Sequence, residues 1–329
     1  MAEIEGRRTR TWIILGTLAI VLLVGSGIAA FMLTRNDGNE PPPFKRKVMP
    51  AKEFVLPPLP EPKLGLDIPA GQENQPVRGD FQLVVDPSDY PVVPETLNVY
   101  EYVRAIETEE QFRGIAAKFG AEGIMEKNGD FYMMGEGDLK FSYETDSERI
   151  EFTDERLLRH PGDVPDVPSQ EQCKKIAWNL MEQMGLLPQE AEIIGEATDG
   201  GSISAKGLDD VIFSRSVEIG RKLDGYPIRG PGMEMWVELA DKGELASFDS
   251  NIRPLKLYGT YKVKSVEEAL EDARKGNGTM NLDPDIPNPI VNRISIMYYA
   301  DPSDPENRLL QPVYSIVGQC CIYVPAIKE

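Results

Sequence analysis

The side chains able to do covalent or metal chemistry are few and scattered. The chain holds one histidine, His160, in the turn-like stretch Leu157-Leu158-Arg159-His160-Pro161-Gly162. A Ser-His-Asp triad would need that residue, and no G-x-S-x-G nucleophile elbow is there to partner it. Of three cysteines, Cys173 falls in a predicted helix, and Cys320 and Cys321 are adjacent near the C-terminus. Neighbouring side chains on a strand face opposite ways, so this pair reads as two ordinary thiols, one buried and one exposed. A strained vicinal disulfide or a metal site is the alternative, but zinc normally draws on several His or Cys ligands and none cluster here. Acidic pairs such as Asp209-Asp210 and Glu267-Glu268 fall where turns and helix starts want charge. Neither a Walker A loop nor a Rossmann glycine signature in strand-to-helix context occurs. Residues 301–307, Asp-Pro-Ser-Asp-Pro-Glu-Asn, offer carboxylates to Ca²⁺ without the spacing of an EF-hand loop, and a solvated turn is the preferred reading. The expectation is a chain that is not an enzyme, with no catalytic residue, no cofactor and no metal.

What remains is binding. Tyr298, Tyr299 and Tyr314 lie on predicted strands and are the candidate partner-binding residues, with sheet edges as the other candidate surface. Core packing with the hydroxyls at the rim is the competing and preferred reading of those rings. The 329 residues carry a net charge of -19 and a pI near 4.6. Such acidity argues against nucleic acid as a partner, and Lys45-Arg46-Lys47 is a local exception best read as a solvated run.

The elements that would position any site begin with an uninterrupted apolar run from Trp12 to Leu33. As a helix it spans ~33 Å, enough to cross a hydrocarbon core of about 30 Å. Arg7, Arg8 and Arg10 before it favour a cytoplasmic tail over residues 1–11 and an extracytoplasmic C-terminal part. A cleaved signal peptide is the alternative, but its apolar region is usually about 7–15 residues with a small-residue cleavage site. A retained anchor at 12–33 is preferred, which makes this a single-pass protein of the cell membrane. Residues 34–94 follow as a linker whose many prolines prevent helix and interrupt strand pairing.

Beyond it, three capping boxes open three helices: Thr108 with Gln111, Ser169 with Gln172, and Ser265 with Glu268. Each helix then meets a glycine suited to its C-terminal end: Gly120, Gly185 and Gly276. Alternating strands follow each, over 131–134, 139–143 and 150–152; then 211–219, 233–239 and 244–248; then 291–299, 309–317 and 322–324. This predicts an α+β chain of repeated helix plus antiparallel meander lobes, bounded at 95–165, 166–255 and 256–329.

Those residues carry a resemblance. Ser265-Val266-Glu267-Glu268-Ala269-Leu270, Met297-Tyr298-Tyr299-Ala300, Leu310-Gln311-Pro312-Val313-Tyr314 and Tyr323-Val324-Pro325-Ala326-Ile327 look like the C-terminal part of YycH/YycI-type proteins. Gly225-Tyr226-Pro227-Ile228 and the Trp236 to Gly243 hairpin resemble PepSY units. The first repeat lacks the Gly-aromatic-Pro start, and Cys320-Cys321 is no part of the pattern. The resemblance implies a PepSY-like fold in the second and third lobes. It also implies a membrane-anchored extracytoplasmic regulator that binds another membrane or envelope protein, a sensor kinase. Its PepSY side implies a protease as the alternative partner, with this chain as inhibitor or propeptide-like chaperone. A structural envelope component is the third reading.

Overall fold

The computed structural model describes residues 59, 75–76, 80–159, 164–203, 211–281, 286, 288–301 and 308–328, all within one compact unit spanning residues 56–329. The apolar run 12–33, most of the proline-rich stretch, His160, Asp209-Asp210 and residues 302–307 lie outside the described residues. Among the described residues no helix is long and apolar enough to cross a membrane.

The chain order begins β1 (Gln75–Pro76), β2 (Gln82–Leu83), β3 (Thr96–Tyr102) and α1 (Glu109–Lys118). It continues with β4 (Glu126–Asn128), β5 (Phe131–Met134), β6 (Leu139–Glu144), β7 (Arg149–Asp154), α2 (Glu155–Leu158) and α3 (Gln170–Gln183). Then come β8 (Ala191–Ile203), β9 (Val211–Leu223), β10 (Tyr226–Arg229), β11 (Met235–Leu239), β12 (Leu245–Ser250) and β13 (Leu255–Lys262). The last elements are α4 (Val266–Lys275), β14 (Thr279–Asn281), β15 (Ile290–Tyr299), β16 (Leu309–Gly318) and β17 (Cys321–Pro325).

Local chemistry sets the helix ends. The Gln111, Gln172 and Glu268 amides donate to the hydroxyls of Thr108, Ser169 and Ser265, and each side chain reaches back to its cap amide. Two orphan donors are satisfied at each start. Gly120, Gly185 and Gly276 take φ of 71°, 62° and 89°, where a side chain would be strained.

One set of strands runs β4-β5-β6-β7-β12-β11-β9-β8, antiparallel throughout. Its inner face packs Phe141, Phe152, Val237 and Phe248 against Phe112 of α1 and Met181 of α3. The second set runs β1-β14-β17-β16-β15, with β15 flanked in parallel by β2 and β10, and β16 leading through β3 to β13. Here Leu270 and Ala273 of α4 cover Val99, Ile316, Ile322 and Val324.

This pairing corrects the predicted fold class. The helices and strands do not assemble as repeated helix plus meander lobes; they join one large, mixed and mostly β network. The reason lies in the strand edges. The open edge of β7 is filled by β12, from the next predicted lobe, with Phe248 opposite Phe152 and Asp249 opposite Glu151. β10 leaves β9 after two paired residues and turns to run parallel to β15. A meander repeat would have left those edges exposed, and unpaired backbone groups at a sheet edge invite association.

Candidate functional site

The three tyrosines singled out by the sequence are all buried: Tyr298 and Tyr314 are 0% exposed and Tyr299 is 4% exposed. They form no outward-facing surface, so the preferred core-packing reading describes them and the partner-binding one does not. The structure also separates them. Tyr298 belongs to a small cluster with Leu223, Ile228 and Leu310; its hydroxyl lies 2.8 Å from the Asp224 carboxylate and 3.0 Å from the Asn98 carbonyl. Asp224, at the tip between β9 and β10 with φ 54°, also accepts from the Tyr100 hydroxyl and the Asn98 amide. This knot ties the β9–β10 turn to β3. Tyr314 donates to the Lys264 carbonyl just before α4, at 2.5 Å, while the Tyr299 ring tilts against Tyr323 at 4.9 Å.

Removing one hydroxyl tests the knot. Tyr298→Phe should lower stability by about 1.5–3 kcal/mol, the range for a hydrogen bond to a charged group. A urea titration should show the midpoint falling with the slope unchanged.

The exposed surface with distinctive chemistry is the outer face of the first sheet. Apolar residues of β11 alternate, with Met235, Val237 and Leu239 in the core, so Trp236 and Glu238 point the other way. Strand register extends that pattern sideways. Trp236 stands opposite Asp249 of β12 and Glu218 of β9; Asp249 stands opposite Glu151, Glu151 opposite Ser142, and Ser142 opposite Met133. In the adjacent row Glu238 stands opposite Ser247 and Ser216. The exposed apolar side chains on this face are Trp236 at 38%, Met133 at 46% and Phe131 at 47%. Neighbouring strands are about 4.8 Å apart, so carboxylates flank the indole on both sides.

The charges here are unequal. Arg149 bridges Asp249 and Glu151, whose direct opposition would otherwise repel. Lys140 is drawn off to Glu155. Glu238 takes two neutral donors, the Ser214 hydroxyl at 2.5 Å and the Ser247 hydroxyl at 2.8 Å. Among the described residues Glu218 has neither a hydrogen bond nor an ion pair, and burial pushes its carboxyl above the ordinary value against the opposing charge of Arg229. No group of His, Cys, Asp and Glu among the described residues is arranged to hold a metal ion.

A shallow groove of about 470 Å³ also runs between α3 and β8, lined by Lys174, Lys175, Trp178, Asn179 and Ile193 among others. Lys174 is already engaged by Glu171 and Glu196, which leaves the groove nearly neutral. In the sequence Trp236 stands out only as part of the Trp236 to Gly243 hairpin, and Trp178 not at all. The signal for Trp236 was present: Met235-Trp236-Val237-Glu238-Leu239 alternates cleanly, and an indole on the polar parity of a strand is out of place.

No protein-family model matches the chain, and no curated protein matches it in sequence. Among solved structures, an uncharacterized protein from Eubacterium rectale ATCC 33656 is similar over 69% of this chain and 78% of that one, at 11% identity and a TM-score of 0.40. A likeness of that size carries no functional argument.

Proposed function

We propose that this chain is a membrane-anchored, extracytoplasmic regulatory protein that works by binding another membrane or envelope protein and has no catalytic activity of its own. The YycH/YycI-type resemblance makes a sensor kinase the partner of choice. The apolar run 12–33 supplies the tether, and a proline-rich stretch connects it to the folded part, which already includes β1, β2 and the buried Phe81. The observation that carries the binding reading is the outer sheet face. Among the described residues, one face of the eight-stranded set is sealed by α1 and α3, while the other is uncovered around an exposed tryptophan. Tryptophan is enriched among residues that dominate binding energy at interfaces.

Two measurements test this. Reporter fusions to the C-terminus should be active only outside the cytoplasm. A photo-crosslinking residue at position 236 in intact cells should capture a membrane-fraction protein. An internal C-terminus, or no captured species from position 236, refutes the proposal.

A further inference from the structure

We infer that the outer sheet face receives a lysine- and arginine-rich segment of the partner protein, with one cationic side chain laid over Trp236 between Glu218 and Asp249. The inference rests on the binding reading above and adds the chemistry of the partner.

Sign and geometry select this occupant. Four carboxylates surround the indole: Glu218 and Asp249 directly opposite it on the neighbouring strands, Glu151 one strand beyond, and Glu238 two residues along β11. Among the described residues Arg149 is the cation ion-paired with them, and it is shared by Asp249 and Glu151. Neither Glu218 nor Glu238 forms an ion pair among the described residues; Arg229, whose charge reaches Glu218, is itself paired with Glu192. The face of an indole attracts a cation through its quadrupole, and flanking carboxylates add to that attraction. An incoming guanidinium or ammonium would find both a ring to stack on and an unpaired carboxylate to bond.

Other occupants fit poorly. An apolar partner would bury Glu218 without a hydrogen-bond partner and Glu238 with only two neutral hydroxyl donors, which is costly for a charge. A second copy would set this face against itself, carboxylate against carboxylate, which is unfavourable. Nucleic acid carries the wrong sign. A basic segment also exploits the wider charge of the molecule, since a net -19 steers cations toward it.

The test uses the full-length protein in detergent and a fluorescent dodecapeptide of alternating lysine and serine, beside its glutamate-serine counterpart. The lysine peptide should bind, and weaken as salt rises from about 50 to 200 mM. Trp236→Ala and Glu218→Gln should each weaken it at least about tenfold, a loss typical of a central anchor, while Trp236→Phe retains part of the affinity. Glu271→Gln on α4, which removes the same charge elsewhere, should leave binding unchanged, and melting curves should show all variants folded. Equal weakening by Glu271→Gln would reduce the effect to net charge and overturn the inference. So would binding of the glutamate peptide, or no binding of the lysine peptide. If position 236 still crosslinks a membrane protein in cells while the lysine peptide fails, the inference falls and the binding reading stands. If the crosslink fails as well, both fall.

Discussion

Replacing Phe112 by alanine should cost about 3–5 kcal/mol, the range for deleting a fully buried aromatic side chain. Phe112 is 0% exposed, and its ring centroid lies 5.4 Å from Phe141 and 5.7 Å from Tyr132. Phe112 and Ala116 are the buried residues within α1, and Phe119 at its C-cap adds ring contacts to Phe141, Phe152 and Phe248. For a domain of this size the melting temperature should drop on the order of 10 °C. Thermal unfolding monitored by circular dichroism reads this directly, and Phe112→Leu should recover most of the loss. A drop of only a degree or two would mean that α1 is not docked on the inner face. The outer face lies on the far side of the sheet, so the folded fraction of the variant should keep its affinity for the lysine peptide.

The second large effect is alkaline. Tyr143, Tyr298 and Tyr314 are at most 1% exposed, and burial pushes each phenol well above its ordinary value. A phenol raised in the folded state contributes stability that is intact below the unfolded value near pH 10. That contribution is lost as pH rises past it, because the unfolded chain releases the proton first. Each group forfeits roughly 1.4 kcal/mol per pH unit, so the three remove about 4 kcal/mol by pH 11, a large part of a typical domain's stability. Urea midpoints measured at pH 8, 10 and 11 should show a small loss by pH 10, about 1 kcal/mol for the three together, and a steeper fall between pH 10 and 11. Tyrosinate absorbance gives the second readout: these three rings should stay silent until the chain unfolds. Smooth titration of every tyrosine near pH 10, with the fold intact, would contradict the burial.

Much of the local structure was legible in the sequence, because its causes lie within a few residues. The caps at Thr108, Ser169 and Ser265 depend on side chains three positions away, and the glycines behind each helix on one backbone angle. The turns at Thr145–Glu148 and Asp241–Gly243 likewise announce themselves. What could not be read was which strand lies beside which. The pairing of Phe248 with Phe152 rewards complementary faces across about a hundred residues, and no spacing rule encodes it. The burial of both members of the tyrosine pair has a related cause. Alternation says that Tyr298 and Tyr299 face opposite ways, and a sheet covered on both sides buries both. Trp236 is the reverse case: the alternation of β11 places it on the polar face, where the structure finds it exposed.

The pairing of β7 with β12 also governs when the molecule can finish folding. As the ribosome delivers the chain, β7 is complete long before the strand that belongs beside it: roughly ninety residues later, about 5–20 s at ordinary elongation rates. Closing so long a loop makes assembly slow relative to helix-rich chains. Throughout that interval the nascent hairpin offers an unsatisfied backbone edge to chaperones and proteases, so truncation anywhere before residue 250 should yield fragments that aggregate or are degraded rather than smaller folded units.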